Sequence, residues 1–128
     1  MTDFWERLDR LVAENEVVID RPTGAVHPRY PEIVYPLDYG YLKGTSGGDG
    51  NEIDVWRGSL RPARLVAIAC TADTLKGDAE IKLLLGCTAE ETGIVYRFHN
   101  DNDYMSGMLV KREGIERDFQ GRPVPPET

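Results

Sequence analysis

The segment YPLDYGYLKGTSGGDGNEIDVW, residues 35–56, joins two strand-like stretches through a glycine-rich loop and is the most informative part of the sequence about the fold. In its first half, Tyr35, Leu37, Tyr39 and Tyr41 alternate with other residues as the side chains of a β-strand do. Three prolines between positions 27 and 42 exclude a helix there. The apolar stretch 53–58 has the length of a second short strand. The segment therefore predicts a strand, a loop and a strand.

Short elements of similar length lie on both sides of this segment. Residues 3–15 have apolar side chains at helical spacing, and Thr2 or Asp3 can cap that helix. In residues 88–98, Thr88 and Glu91 have capping-box spacing, which favours a helix, whereas Gly93 disfavours one. The remaining predictions are strands at 16–20, 63–70 and 79–87, a strand or helix at 107–113, and an irregular tail at 117–128.

Strands at intervals of about ten residues favour a small, closed, OB-like β-barrel with one or two flanking helices, in a mainly β or α+β fold. The same spacing also fits an open α+β sheet. At 128 residues with 41% hydrophobic side chains, the chain is long enough to bury its own core. We therefore expect one domain over residues 1–128.

The net charge of −7 argues against nucleic acids and anionic membranes as partners, since both require basic surfaces. It leaves anionic substrates open, because divalent cations held by carboxylates reverse the local charge. The sequence contains no membrane-spanning apolar run and no signal peptide at its start. Cys70 and Cys87 lie in apolar surroundings, typical of buried free thiols, with a disulfide or metal pair as the alternative. A cytoplasmic location is the resulting expectation.

The glycine-rich loop contains the first group of candidate functional residues. They are Asp49, Asn51, Glu52 and Asp54. Glycines allow such a loop to bend until its carboxylates converge, and Mg²⁺ takes carboxylate, water and phosphate oxygens as ligands. The spacing fits neither an EF-hand nor a P-loop. A metal-binding loop and a solvated turn both remain possible interpretations.

Two further groups stand out. Asp78, Glu80 and Lys82 share one face if residues 79–87 form a strand, either as a solvent-facing surface or as a site for metal and phosphate. Arg29 can bind phosphate oxygens through two N–H groups, and the Tyr39 hydroxyl can donate to them. Tyrosines in a strand are also common core residues.

In this order, the motifs resemble those of the soluble family I inorganic pyrophosphatases. That family has an Asp-x-Asp-[Pro/Glu]-apolar-Asp-apolar signature directly after a YPxxYGY segment, and here YPLDYGYL precedes DGNEIDV. Upstream, VVIDRPTG and HPRY are similar to a strand and turn of the family. Downstream, EIK at 80–82 is similar to its Asp-x-Lys motif. The resemblance covers residues 16–83 well and 84–112 loosely.

The resemblance implies a role for each matching position. The implied metal ligands for Mg²⁺, or for Mn²⁺ in its place, are Asp49, Asp54, Glu80 and Asp78, with Asp73 as the alternative to Asp78. The implied phosphate-binding residues are Arg29, Tyr39, Lys82 and Tyr104, and Asp20 matches a glutamate of the family. The implied substrate is a small phosphate-containing molecule, and a homo-oligomer is implied in the same way.

Asn51 stands where the family has an aspartate that helps to deprotonate the attacking water. An amide orients a water molecule but cannot accept its proton near neutral pH. Glu52, the next residue, is a candidate replacement if the loop rotates. Mg²⁺-dependent hydrolysis of pyrophosphate or a related phosphoanhydride is therefore the first hypothesis. The second is a related protein that binds metal or phosphate without turnover, and an OB-like oligonucleotide-binding protein is the third.

Overall fold

Two helices and eight strands follow one another along the residues that the computed structural model describes, which are 3–48, 50–112, 116–117 and 123–124. In chain order they are α1 (Phe4–Glu14), β1 (Val17–Arg21), β2 (Asp38–Leu42), β3 (Asp54–Arg57), β4 (Leu65–Asp73), β5 (Asp78–Leu85), α2 (Ala89–Asn100), β6 (Met105–Lys111), β7 (Glu116–Arg117) and β8 (Pro123–Val124). The strands predicted around 16–20, 63–70 and 79–87 are thereby confirmed, and residues 107–111 belong to a strand rather than a helix.

Strands β1 to β6 form one mixed sheet in the order β1-β2-β3-β5-β4-β6. Strands β3 and β5 pair in parallel, and the other neighbouring strands pair antiparallel. Strands β4 and β5 form a hairpin that closes at the pair Asp73 and Asp78. Strand β4 lies between β5 and β6 and is mostly buried, which explains why its sequence is an almost continuous apolar run.

Each face of the sheet has its own core. On one face, the buried side chains are aliphatic and include Leu42, Val55 and Leu83. On the other face, the buried side chains include Tyr35 and Trp56. Because successive residues of a strand point to opposite sides, neighbours such as Val55 and Trp56 contribute to different cores.

Helix α1 covers the aliphatic face. The Asp3 carboxylate accepts a hydrogen bond from the Glu6 amide at 2.8 Å and so caps the helix, which confirms one of the two predicted caps. Leu8 is buried in the aliphatic core, and Arg112 holds the helix to the end of β6 through two contacts with Asp9, of 2.6 and 2.8 Å.

Helix α2 covers part of the aromatic face. Thr88 and Glu91 form the predicted capping box, with side-chain to backbone distances of 3.1 and 2.9 Å. The Glu91 carboxylate also accepts from the Ser59 amide, which connects the helix to the loop after β3. Val95 and His99 are the buried side chains that face the sheet, so the helix persists despite Gly93.

The YGY part of the opening segment requires its glycine. A Cβ atom at Gly40 would lie 1.8 Å from the carbonyl oxygen of Val18 on β1. Any side chain there would force β1 and β2 apart, since two non-bonded atoms cannot approach so closely. Gly40 is therefore needed for the close approach of these two strands.

The prediction of a closed barrel is wrong. Strands β1 and β6 lie at opposite edges of the sheet and do not pair with each other within the described residues. A barrel removes its edges by pairing its outermost strands. Here one helix covers each face instead, so the apolar side chains are buried without closure. The α+β class with an open sheet, given as the alternative, is the observed architecture.

The prediction of an irregular tail over 117–128 is wrong at its described positions, since β7 and β8 pair antiparallel as a separate two-stranded ladder. The rest of that tail lies outside the described residues. Neither helix of the described part is long and apolar enough to cross a membrane. Both cysteines are free, with Cys87 buried and Cys70 partly buried.

Candidate functional site

The ammonium group of Lys82 is the centre of the candidate site. Its Nζ atom donates to the Tyr39 hydroxyl at 2.8 Å, to Asp54 Oδ2 at 2.7 Å and to Glu80 Oε2 at 2.9 Å. The lysine is 5% exposed, so the charged group is largely removed from water. Three hydrogen bonds use all three of its N–H donors, and this arrangement offsets the cost of burying the charge.

Three adjacent strands bring these residues together. Tyr39 of β2 pairs with Trp56 of β3, and Trp56 pairs with Leu84 of β5. Asp54 and Lys82 are two residues before Trp56 and Leu84 on their strands, so they share the same face of the sheet. The side chains of three separate chain segments therefore meet at one point on the aromatic face.

The environment sets the protonation of this group. Burial by itself would lower the pKa of Lys82, but its interactions with Tyr39 and Asp54 outweigh burial and raise that pKa, so the ammonium stays charged. Burial also raises the pKa of Tyr39 well above its usual value, so the phenol stays protonated at neutral pH. The site thus contains a fixed cation beside a neutral hydroxyl.

A second lysine lies at the β4–β5 turn. Lys76 Nζ is 3.5 Å from Asp78 and 3.8 Å from Glu80, and its side chain is 62% exposed. Asp73 caps this turn by accepting the amide N–H groups of Leu75 and Lys76 at 2.9 and 3.0 Å. The Asp73 side chain is therefore engaged with the backbone of the turn, and Asp78 is engaged with Lys76.

An open groove of about 850 Å³ runs over this part of the aromatic face. The predicted site residues that line it are Arg29, Tyr39, Asn51, Glu52, Asp54, Asp73, Glu80, Lys82 and Tyr104, together with Asp20, which matches a glutamate of the family. Asp78 does not line the groove, and Asp49 lies outside the described residues. The fold thus brings residues from four parts of the sequence to one concave surface.

The groove also contains residues that the motif-based predictions left out. These include Arg21, His27, Glu32, Lys76 and Asp101. Arg21 follows Asp20, which matches a residue of the family, and Lys76 lies four residues before Glu80. Their closeness in the sequence to these two residues was the available indication that they belong to the site. His27, Glu32 and Asp101 belong to no motif with a recognisable spacing. Carboxylates outnumber cationic side chains along the described lining, so an anionic ligand benefits from an added cation.

His99 closes the floor of the groove beneath the aromatic rings. Its Nε2 atom accepts from the indole N–H of Trp56 at 3.0 Å, so its proton lies on Nδ1, which is 3.4 Å from Met105 Sδ. Burial, assisted by the positive charge of Lys82, lowers the pKa of His99 to about 3. The edge of Trp56 in turn contacts the Tyr39 ring, at 4.6 Å between centroids. A neutral His99 therefore helps to hold Trp56 against Tyr39.

The glycine-rich loop makes backbone hydrogen bonds that fix its shape. The Gly47 amide donates to the Asn51 carbonyl at 2.6 Å, and Gly50 has a φ of +84°, a conformation that favours glycine. Glu52 Oε2 accepts from the Gly44 amide at 2.8 Å. In this conformation, one carboxylate oxygen of Glu52 stabilises the loop.

Among the described residues, a divalent cation would have two carboxylates as protein ligands, those of Asp54 and Glu80. No group of three or more His, Cys, Asp or Glu side chains within the described ranges is arranged to hold a metal. Asp54 and Glu80 nevertheless converge on one ammonium group, and a cavity of about 20 Å³ beside them and Glu52 has room for one water or ion. Mg²⁺ commonly binds through one or two carboxylates, with waters and substrate phosphates as its other ligands. This donor set is compatible with Mg²⁺ in that form.

The fold is similar to that of solved inorganic pyrophosphatases. An inorganic pyrophosphatase from Helicobacter pylori matches with a TM-score of 0.52 and 16% identity over 77% of this chain and 77% of that chain. An inorganic phosphatase from Anaplasma phagocytophilum matches with a TM-score of 0.50 and 15% identity over 76% of this chain and 81% of that one. The pyrophosphatase-like fold predicted from the motifs is therefore confirmed.

A third structure, an inorganic pyrophosphatase from Coxiella burnetii, has a TM-score of 0.50 and 15% identity over 62% of this chain. That match spans 66% of the Coxiella protein, just under two thirds of its length. No protein-family model matches the sequence, and no curated protein matches it significantly. At these identities, the comparisons establish the fold.

Proposed function

We propose that this protein hydrolyses a phosphoanhydride, pyrophosphate or a related compound, with the help of a divalent cation such as Mg²⁺ or Mn²⁺. The observation that carries this proposal is the buried ammonium of Lys82, held by Tyr39, Asp54 and Glu80 in an open groove. A fixed cation, a neutral hydroxyl and two carboxylates in one concave site suit the transfer of a phosphoryl group to water. The pyrophosphatase-like fold supports the same reaction class.

The Tyr39 hydroxyl would bind a phosphoryl oxygen, and the positive charge of Lys82 would attract the phosphates, since its three N–H donors are engaged with Tyr39, Asp54 and Glu80. Lys82 donates a hydrogen bond to the Tyr39 oxygen, so the hydroxyl proton of Tyr39 is directed away from the lysine and remains available to a substrate oxygen. The raised pKa of Tyr39 keeps that proton in place. A hydroxyl donor and a positive charge fixed in this way stabilise the negative charge that develops as the bridging oxygen leaves.

Asp54 and Glu80 would hold the divalent cation. When bound, the cation neutralises phosphate charge and lowers the pKa of coordinated water. Exposed Arg29 and Lys76 line the same groove and would attract the remaining phosphate oxygens. The divalent cation and these cationic side chains would thus offset the negative charge of the phosphates in a groove that is rich in carboxylates.

Asn51 limits this reaction. Its amide orients a water molecule but does not take its proton, and the neighbouring Glu52 is engaged with the Gly44 amide. The proton of the attacking water must therefore pass to another groove carboxylate or to solvent. This arrangement favours a slow hydrolase. It also motivates the second candidate function, which is binding of metal or phosphate without turnover.

Phosphate release from pyrophosphate in the presence of Mg²⁺ or Mn²⁺ tests the proposal. The wild type is compared with Asp54→Asn, with Asn51→Asp and with the control Asp103→Asn, whose exposed side chain does not line the groove. We expect turnover by the wild type and by the control, loss of turnover in Asp54→Asn, and an increase on the order of 10²-fold in Asn51→Asp.

The outcomes separate the two candidates. Turnover in Asn51→Asp alone, with cation binding by the wild type in calorimetry, supports the binding protein rather than the hydrolase. Wild-type turnover that Asp54→Asn leaves unchanged contradicts the proposed site. Absence of both turnover and cation binding in every variant contradicts both functions.

A further inference from the structure

A series of aromatic rings leads away from Lys82 along the groove. The ring centroids of Tyr39 and Tyr35 are 5.2 Å apart, those of Tyr35 and His27 are 6.3 Å apart, and those of His27 and Tyr30 are 5.2 Å apart. Tyr35 and His27 are nearly parallel, with 12° between their planes. The series begins at the buried ammonium and ends at Tyr30, which is 37% exposed and lines the groove.

His27 is held in a fixed orientation within this series. Its Nδ1 atom accepts the amide N–H groups of Arg29 and Tyr30, at 3.0 and 3.2 Å. Partial burial and the charges of Arg21 and Arg29 lower its pKa, so the imidazole is neutral at physiological pH. A neutral, planar and immobile ring beside an exposed tyrosine forms a surface suited to stacking.

Exposed aliphatic side chains extend this surface. Val34 is 52% exposed and Leu75 is 66% exposed, and both line the groove with Tyr30. Leu75 is presented by the β4–β5 turn that Asp73 caps, and Val34 by the short hairpin in which it bridges Val26. Bare pyrophosphate has no apolar part, so it would leave these surfaces in contact with water.

Two further cationic side chains, Arg21 and Arg29, line the groove. Arg21 has its guanidinium over the Tyr35 ring, at 5.3 Å from the centroid, and also donates to the Tyr35 hydroxyl. The exposed guanidinium of Arg29 makes no hydrogen bond or ion pair with any other described residue. These cations suit phosphates that extend from Lys82 towards the rings.

We infer that the substrate is a nucleoside 5′-phosphoanhydride, with its phosphates at Lys82 and its base against Tyr30 and His27. This inference rests on the proposed function and specifies its substrate class. A groove of about 850 Å³ has the size of sites that bind organic ligands and is far larger than a bare diphosphate requires. Bases stack on aromatic side chains whatever their identity, so we expect little preference among the four bases.

The reaction consumes one water molecule. The water oxygen forms a new bond to the terminal phosphorus, and the bond from that phosphorus to the bridging oxygen breaks. Inorganic phosphate leaves with the water oxygen, the nucleoside phosphate retains the bridging oxygen, and a proton is released. No other reactant is required.

The substrate panel consists of pyrophosphate, inorganic tripolyphosphate, ADP, ATP and CTP, each with excess Mg²⁺. Tripolyphosphate has the phosphates of ATP without the nucleoside, so the pair isolates the contribution of the base. We expect kcat/KM for ATP and CTP to exceed that for tripolyphosphate by at least roughly tenfold, given the worth of stacking on an aromatic ring.

Tyr30→Ala identifies the surface responsible. We expect it to raise KM for the nucleotides by roughly 5- to 100-fold while leaving the kinetics of pyrophosphate unchanged, and Tyr30→Phe to behave like the wild type. Tyr96→Ala is the matched control, because Tyr96 is 45% exposed on α2 and does not line the groove.

The possible failures are distinguishable. If pyrophosphate and tripolyphosphate react at least as well as the nucleotides, or if Tyr30→Ala affects all substrates equally, the inference is overturned and the proposed hydrolase stands. If no member of the panel is hydrolysed, the proposed function fails and this inference fails with it. A nucleotide preference that Tyr96→Ala removes as strongly as Tyr30→Ala also overturns the inference.

Discussion

The two faces of the central sheet are both buried but differ in chemistry. Leu83, at 0% exposure, points towards α1, whereas the preceding residue Lys82, at 5% exposure, points into the groove. On the aliphatic face, which α1 covers (the α1 face), the neighbours of Leu83 are aliphatic side chains such as Val55. On the groove face, the neighbours of Lys82 are a phenol and two carboxylates.

The two faces are stabilised by different physical effects. The α1 face is stabilised by removal of apolar surface from water, a nondirectional effect that tolerates similar shapes. The groove face holds a charge, and only directed hydrogen bonds offset its desolvation. The first face therefore maintains the fold, and the second can hold a reactive arrangement of polar groups. Substitutions on adjacent residues test this division.

The largest effect is expected from Lys82→Met, which removes the charge at a similar side-chain length. We expect kcat/KM for phosphoanhydride hydrolysis to fall about 10²- to 10³-fold, because the fixed positive charge that orients Tyr39 and stabilises the phosphoryl oxygens is lost. Phosphate release under Mg²⁺ measures the effect, and circular dichroism verifies that the variant is folded. Lys43→Met, an exposed lysine outside the groove, is the control. If the activity of Lys82→Met is close to that of the wild type, Lys82 does not take part in the reaction.

Leu83→Ala tests the opposite face of the same strand. We expect the free energy of unfolding to decrease by about 3 kcal/mol, because a fully buried leucine leaves a cavity when truncated. Urea denaturation measures this change. The kcat/KM of the remaining folded protein should stay within about twofold of the wild type, since Leu83 does not line the groove. A loss of activity as large as that of Lys82→Met would show that the two faces are not independent.

His99→Gln tests the titration of a buried group on the groove face. The pKa of His99 is about 3 in the folded protein, against an ordinary value of about 6.5 in the unfolded chain. Between these values the unfolded chain binds a proton that the folded chain does not. Stability therefore decreases as the pH falls from about 6.5 towards 3, by up to about 1.4 kcal/mol per pH unit.

Glutamine retains an acceptor for the Trp56 indole N–H but does not titrate. Urea denaturation between pH 7 and 5 should give a shallower decrease in stability for His99→Gln than for the wild type. His27→Gln is the comparison, since His27 is only partly buried whereas His99 is buried. Identical slopes for the wild type and His99→Gln would mean that His99 is already protonated in the folded protein near pH 6.

The smallest effects concern the helix caps on the two faces. Thr88→Ala removes the capping box of α2, and Asp3→Ala removes the cap of α1. Each should reduce the free energy of unfolding by about 1 kcal/mol. Because α2 positions His99 on the groove face, Thr88→Ala should also raise the KM for the substrate, whereas Asp3→Ala should not. Equal effects on KM would indicate that α2 does not influence the site.

Local patterns predicted most of the elements of the fold. The alternation around Tyr39, the apolar run of β4 and the capping box at Thr88 each report the conformation of their own segment, because propensity and capping depend on neighbours in the sequence. The prediction of a closed barrel was wrong for the same reason, because strand spacing is also a local pattern. Strand spacing indicates how many strands exist, but it does not specify which strands form the edges.

The motifs also predicted much of the candidate site. Tyr39, Asp54, Glu80 and Lys82 do come together, whereas Asp78 lies outside the groove and Asp49 outside the described residues. The stacking surface formed by His27 and Tyr30 was not predicted. A histidine before a proline has the same local sequence pattern whether it lies in a core, a turn or a binding surface. Its exposure in a groove depends on contacts with distant segments.

The residues that share a face of each strand follow from the sequence alone, because side chains alternate with a period of two for local steric reasons. The sequence determined the helix caps in the same local sense, whereas the need for glycine at position 40 follows from the close approach of Val18 on the neighbouring strand. No local pattern places Lys82 beside Tyr39, 43 residues earlier, and Asp54, 28 residues earlier, because those contacts depend on how the strands pair in the folded protein. Strand order is a choice among many long-range pairings, and the packing of both faces against two helices selects one of them.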